Sequence, residues 1–115
     1  MMPPSFPNIG TGLNLHSKAE FYEQIFGVES PAILDCYAEW CGPCRAIAPK
    51  VQEFSDLYTD VKFFKFDVEK DPDLAAELGV RAMPTFMFFK DGQKYTEVVG
   101  ANTPSIEDKI KALIA

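Results

Sequence analysis

Two cysteines separated by two residues, in Trp40-Cys41-Gly42-Pro43-Cys44, are the side chains whose type and spacing point most directly to chemistry. They follow a short apolar run, Ala32 to Tyr37. They open a stretch in which Cys44, Ile47, Ala48, Val51, Phe54 and Tyr58 recur at three- to four-residue steps. The pair therefore falls at a strand-to-helix junction. A helix N-terminus carries unpaired N–H groups and partial positive charge, so a thiol there ionises more readily, and the thiolate is the nucleophile of disulfide exchange. Each unit by which a thiol pKa falls corresponds to about 1.4 kcal/mol. The helix dipole supplies about 0.3–1 kcal/mol, so hydrogen bonds to the sulfur must add to it.

Residues three apart on a helix have Cβ atoms about 5–6 Å apart, within reach of a disulfide after slight adjustment. Cys41 is expected to project to solvent and attack a substrate disulfide. Cys44, one turn deeper, is expected to attack the mixed disulfide and release the reduced substrate. Gly42 lets a partner backbone come close, and Pro43 restricts the loop so that both sulfurs stay oriented. A lone C-x-x-C also occurs as half of a zinc site, but the chain has no second C-x-x-C and no H-x-x-x-H. Only Cys36 and the single His16 remain as further soft or imidazole ligands, and no metal is expected.

Asp35 is a carboxylate inside an apolar strand, six residues before Cys41. Burial without a partner is costly and raises a carboxyl pKa, which suits a proton acceptor for Cys44, directly or through a water. The rival placement turns Asp35 to solvent. Lys65 is a similar misfit in the Phe-rich run Val61 to Val68 and is expected beside Asp35; its alternative is an ordinary surface lysine. Strand alternation sends Cys36 to the opposite face as a small core residue. His16 reads as a surface residue before a helix.

The elements that must position these groups follow from pattern. Ser17 with Glu20 has the form of a capping box. Phe21, Tyr22, Ile25 and Phe26 then recur at helical spacing up to Gly27. Asp71-Pro72 is a cap followed by a helix-initiating proline, and Gly79 closes that short helix. Pro84 to Phe89 and Tyr95 to Val99 flank the hairpin turn Lys90-Asp91-Gly92-Gln93. Thr103-Pro104 repeats the cap-and-proline device before a helix with Ile106, Ile110, Leu113 and Ile114 on its inner face, and Pro49 lies inside the long helix, where it should bend it. The order is α-β-α-β-α-β-β-α, with room for a weak strand ahead of the first helix. An α/β domain with a mixed sheet and helices on both faces is expected.

Composition removes several functions. Acidic residues outnumber basic ones 17 to 11, for a net charge of −6. Nucleic acid and anionic membrane surfaces both select for a basic footprint and are set aside. No apolar run approaches the roughly 20 residues of a membrane span, and no presequence pattern is recognised, so a cytoplasmic setting is expected. The 115 residues fit one domain, over 1–115, with residues 1–10, rich in Pro3, Pro4 and Pro7, as a loosely held extension.

Taken together, WCGPC, the upstream Asp35, the Met83-Pro84-Thr85 step and the late Val99-Gly100-Ala101 resemble the thioredoxin family in order and spacing. The Gly-Pro pair between the cysteines sets the chain apart from glutaredoxins and disulfide isomerases. The resemblance covers Ser17 to Ala115 and is closer to eukaryotic cytosolic members. It implies a thioredoxin fold, with a mixed sheet of four to five strands, and a dithiol–disulfide oxidoreductase that reduces protein disulfides. Pro84 would be cis and face the disulfide, and Met83 would offer its backbone to an extended substrate segment. Trp40, Gly42, Pro43, Met83, Pro84, Gly100 and Ala101 would form an apolar docking face around Cys41. The chain would bind no cofactor. A thioredoxin reductase would recycle it, carrying the NADPH and FAD, since no Gly-rich dinucleotide fingerprint is present here. Peroxiredoxins, methionine sulfoxide reductases and ribonucleotide reductase are the substrates the family implies, and a monomer is expected. Tyr37 stands where many members have tryptophan, and Arg45 where lysine is common.

Overall fold

Alternation of apolar and helical periods resolves into nine elements in the computed structural model, which describes residues 13–115. The Pro-rich opening with Pro3, Pro4 and Pro7, and the extension expected over residues 1–10, lie outside the described residues. In chain order the elements are β1 (Leu13–Leu15), α1 (Lys18–Gln24), β2 (Ala32–Tyr37), α2 (Gly42–Leu57), β3 (Lys62–Asp67), α3 (Pro72–Leu78), β4 (Thr85–Lys90), β5 (Gln93–Val99) and α4 (Thr103–Ile114). The weak first strand is present. The sheet order is β1-β3-β2-β4-β5. β1, β3 and β2 are parallel, and β4 and β5 add antiparallel pairs.

β2 is central and covered on both faces, which is why it reads as a nearly unbroken apolar run. Alternation along the strands splits the core in two. On one face Ile33, Phe63, Phe86 and Phe88 pack beneath Ile47, Val51 and Phe54 of α2 and Ile106, Ile110 and Leu113 of α4. On the other, Leu34, Cys36, Phe64, Phe66, Met87 and Phe89 meet Phe21 and Ile25 from the α1 region and Leu74 of α3. Cys36 is thus a fully buried core residue. Each buried Phe contributes about 1.5–3 kcal/mol.

Four local expectations are corrected. The Ser17 hydroxyl accepts from the Glu20 amide, but Glu20 returns its carboxylate to the amide of exposed His16, not to Ser17. Tyr22 and Phe26 are 45% and 49% exposed. Tyr22 lies about 100° around the helix from Phe21, so only one of that adjacent pair faces the sheet, and Phe26 follows the Ile25 cap, beyond the end of α1. The cap of α4 is Asn102, whose side chain accepts from the Ser105 amide, with Thr103 and Pro104 already inside the first turn. Ile114, beside buried Leu113, turns outward for the same angular reason and is 40% exposed. Pro49 does lie inside α2.

Candidate active site

The end of β2 and the start of α2 bring the two cysteines together. Ala38 to Cys41 form a tight connection closed by a hydrogen bond from the Cys41 amide to the Ala38 carbonyl at 3.1 Å. Cys41 is then the N-cap of α2. Its sulfur accepts from the Cys44 amide at 3.2 Å, and Gly42 and Pro43 occupy the first two helical positions. Proline costs nothing there, because its missing N–H would have had no helical partner. Cys41 and Cys44 form a disulfide with Cα atoms 5.3 Å apart.

The expectation that Cys41 projects to solvent is corrected. In this oxidised state it is 3% exposed and Cys44 8%. The disulfide packs with Ala38 against Tyr37, Val68 and Met83, and these neighbours cover the sulfur that the cap position points outward.

Asp35 lies on the α2-and-α4 face of β2 and is buried, so the solvent-facing alternative is removed. Its Oδ1 has no hydrogen-bond partner among the described residues. Burial pushes its pKa up to about 7, against the pull of the Lys65 charge. No hydrogen bond joins Asp35 to either cysteine among the described residues. A cleft of about 270 Å³, lined by Asp35, Ala38, Arg45, Ala48 and Lys65 among others, lies beside the carboxyl, room for a few waters.

Lys65 is the register partner of Asp35 on β3. The two line the same cleft, and the ammonium stands over the Tyr37 ring, 5.7 Å from its centroid. Half-buried Lys65 is therefore not the ordinary surface lysine of the alternative reading either.

The Met83–Pro84 peptide is cis, and Met83 packs against the disulfide cluster. The Gly100 amide donates to the Pro84 carbonyl at 2.8 Å, which brings the start of β4 beside the end of β5. Gly100 has a φ of 96°, a conformation glycine adopts at little cost. Pro84 is buried and Met83 half-buried, while Ala101 is exposed, and Trp40 is 61% exposed. Glu69 is a site residue that pattern does not reveal: its Oε2 accepts from the Trp40 indole N–H at 2.6 Å. One more acid in an acidic chain gives no signal until the loop after β3 is seen to reach the residue before Cys41. Arg45 donates to the Glu39 carbonyl at 2.6 Å and braces the same connection.

The family model for thioredoxin matches residues 12–112. The chain belongs to the thioredoxin family. Thioredoxin Asp f 29 of Aspergillus fumigatus is 55% identical over 97 residues, covering 83% of this chain and 88% of that one. The crystal structure of Malassezia sympodialis thioredoxin superposes with a TM-score of 0.84 at 39% identity, over 92% of this chain and 93% of that one. Mitochondrial thioredoxin 3 of Saccharomyces cerevisiae gives 0.84 at 40% identity, over 88% and 94%. Like other thioredoxins, the chain is a protein-disulfide oxidoreductase that works by dithiol–disulfide exchange, and the family works with a thioredoxin reductase and disulfide-bearing substrates. Among the described residues there is no cluster of His, Cys, Asp or Glu fit to hold a metal ion, and no helix is long and apolar enough to cross a membrane.

Proposed function

We propose that Cys41 is the attacking sulfur, Cys44 the resolving sulfur and Asp35 the proton acceptor of this thioredoxin. The observation that supports this most is the Cys41 sulfur seated as the cap of α2 with Cys44 one turn on. In the reduced protein the Cys41 thiolate attacks a substrate disulfide. A Cys41–substrate bond forms as the substrate S–S bond breaks, and one substrate sulfur leaves as thiolate and takes up a proton. Cys44 then gives its proton to Asp35 through water in the adjoining cleft and attacks the Cys41 sulfur. The Cys41–Cys44 disulfide forms and the second substrate sulfur departs, so two electrons pass to the substrate.

Trp40, Gly42, Pro43, Met83, Pro84, Gly100 and Ala101 form the proposed docking face, with buried Pro84 acting through its backbone and Lys65 setting the charge near Asp35. Residues 1–115 act as one thioredoxin domain, a monomer without bound cofactor. An NADPH-dependent, FAD-containing reductase recycles it. Peroxiredoxins, methionine sulfoxide reductases and ribonucleotide reductase are the proposed substrates; one similar solved chain comes from work on thiol resolution in a yeast mitochondrial 1-Cys peroxiredoxin. The proposed compartment is the cytosol, in keeping with reducing chemistry and only three cysteines. Imaging of the full chain decides between it and the mitochondrion, the compartment of the yeast relative.

The test is insulin reduction coupled to a thioredoxin reductase and NADPH. Wild type sustains turnover, Cys41→Ser abolishes it, and Cys44→Ser accumulates a mixed disulfide on Cys41. Turnover by Cys41→Ser overturns the assignment.

A further inference from the structure

Asp35 and Lys65 are opposed on adjacent parallel strands and share the cleft beside the carboxyl. A buried carboxylate with a lysine in reach ordinarily takes it as a partner, because an unpaired buried charge is costly. Here Oδ1 has no partner among the described residues, while the ammonium stands over the ring of Tyr37, two residues further along β2 on the same face. Tyr37 and Lys65 line two clefts at once. One contains Asp35, and the other, of about 280 Å³, is lined by His16, Glu39, Asp67, Lys70 and Asp71 among others. Together with Glu39, which also lines both, the two side chains lie between them.

We propose that Tyr37 is a positioning residue whose ring holds the Lys65 ammonium off the Asp35 carboxylate. This deepens the role given to Asp35 above and rests on that reading for its use in catalysis. A cation over an aromatic face gains about 0.5–2 kcal/mol, according to how far it is desolvated. The ring is sufficient for this; the Tyr37 hydroxyl is not required. The consequence falls on Asp35. An ammonium in contact would favour the ionised carboxylate and make it a poor proton acceptor at neutral pH, whereas one held over the ring leaves burial the larger influence.

The charged and titratable groups around this cleft are Lys65 on β3, Arg45 on α2, Glu39 on the connection and Tyr37 on β2 itself. β4 offers apolar Phe86 opposite Asp35. Arg45 is engaged by the Glu39 carbonyl, which leaves Lys65, among the described residues lining the cleft, as the cation able to move toward Asp35.

The test is the titration of the Asp35 carboxyl carbon, followed by NMR in the oxidised full-length protein, where no turnover takes place. Tyr37→Leu is expected to lower the midpoint by about one unit, and Tyr37→Phe to leave it in place. In a Lys65→Met background Tyr37→Leu is expected to have no effect. An unchanged midpoint in Tyr37→Leu, or a shift that persists without Lys65, overturns the proposal. The wild type supplies a check that needs no variant: the Lys65 ε-methylene protons are expected upfield of ordinary lysine positions, and unshifted resonances overturn it too. Failure of Asp35 in catalysis would appear separately, as unaltered resolution kinetics in Asp35→Asn with this titration pattern intact.

Discussion

The sulfur of Cys41 caps helix α2 by accepting the amide N–H of Cys44 at 3.2 Å, so the backbone of one cysteine of the pair stabilises the sulfur of the other. The arrangement supplies a direct donor in addition to the helix dipole, and both favour the anion over the thiol. Alkylation of the reduced protein by iodoacetamide is therefore expected to modify Cys41 with a midpoint below the ordinary thiol value of about 8.5. Peptide mapping across a pH series measures it. A midpoint at or above that value removes the cap from the mechanism.

Asp35 couples stability to pH with a definite sign. Below about pH 4 its carboxyl is protonated in both folded and unfolded chains. As pH rises toward 7, the unfolded chain releases that proton while burial keeps it on the folded protein, whose Asp35 pKa is about 7. Protons thus favour folding in this window, and the contribution is lost as pH rises through 7. The full difference is about 4 kcal/mol. Oxidised Asp35→Asn is expected to be more stable than wild type at pH 8, with the gap closing toward pH 4, in urea unfolding of the two proteins side by side.

The same substitution separates the chemical steps. Removal of the proton acceptor is expected to slow resolution by Cys44, while the first attack by Cys41 continues at close to its normal rate. Rapid-quench kinetics on a single-turnover mixture resolves the two, and equal slowing of both steps takes Asp35 out of the relay.

Much of this was legible in the chain because the deciding features are local. β2 between two apolar layers, the cysteines at its end, the Asp71-Pro72 cap and the Asp91-Gly92 turn each follow from residues within a few positions of one another. What stays hidden in the chain is set where two elements meet in space. Lys65 faces Asp35 by register, yet its ammonium stands over the ring of Tyr37 on the neighbouring strand. The burial of Cys41 depends on Val68 and Met83, which the sequence separates from it by tens of residues. Glu69 reaches Trp40 only through the path of the β3–α3 loop.

Glu69 gives Trp40 its orientation, because a hydrogen bond to a charged acceptor is worth about 1.5–3 kcal/mol when it is well sheltered and less at an exposed site such as this. Glu69→Ala is expected to raise KM for insulin a few-fold while reduction of a small aromatic disulfide changes little. Trp40 is the single tryptophan of the chain, so its emission reports the released indole in the same samples. An equal effect on both substrates shows that Trp40 orientation plays no part in docking.

The β4–β5 turn carries a constraint that is independent of the chemistry. Asp91 and Gly92 have φ of 55° and 81°, the left-handed pair that joins two antiparallel strands in a two-residue turn. The Gly92 carbonyl accepts from the Gly27 amide at 2.8 Å, and a Cβ built on Gly92 falls 2.5 Å from the Gly27 Cα. The obstacle is backbone, which cannot rotate aside as a side chain would. Gly92→Ala thus adds a steric clash with the segment after α1 to the cost of a left-handed alanine, about 1–2 kcal/mol alone. It is expected to destabilise the protein by about 2–4 kcal/mol in urea unfolding. Gly79→Ala, whose φ of 74° is similar but whose Cβ meets no atom within 4 Å, is expected to cost only the conformational part. Equal losses for the two variants would show that the packing of Gly27 on Gly92 contributes nothing.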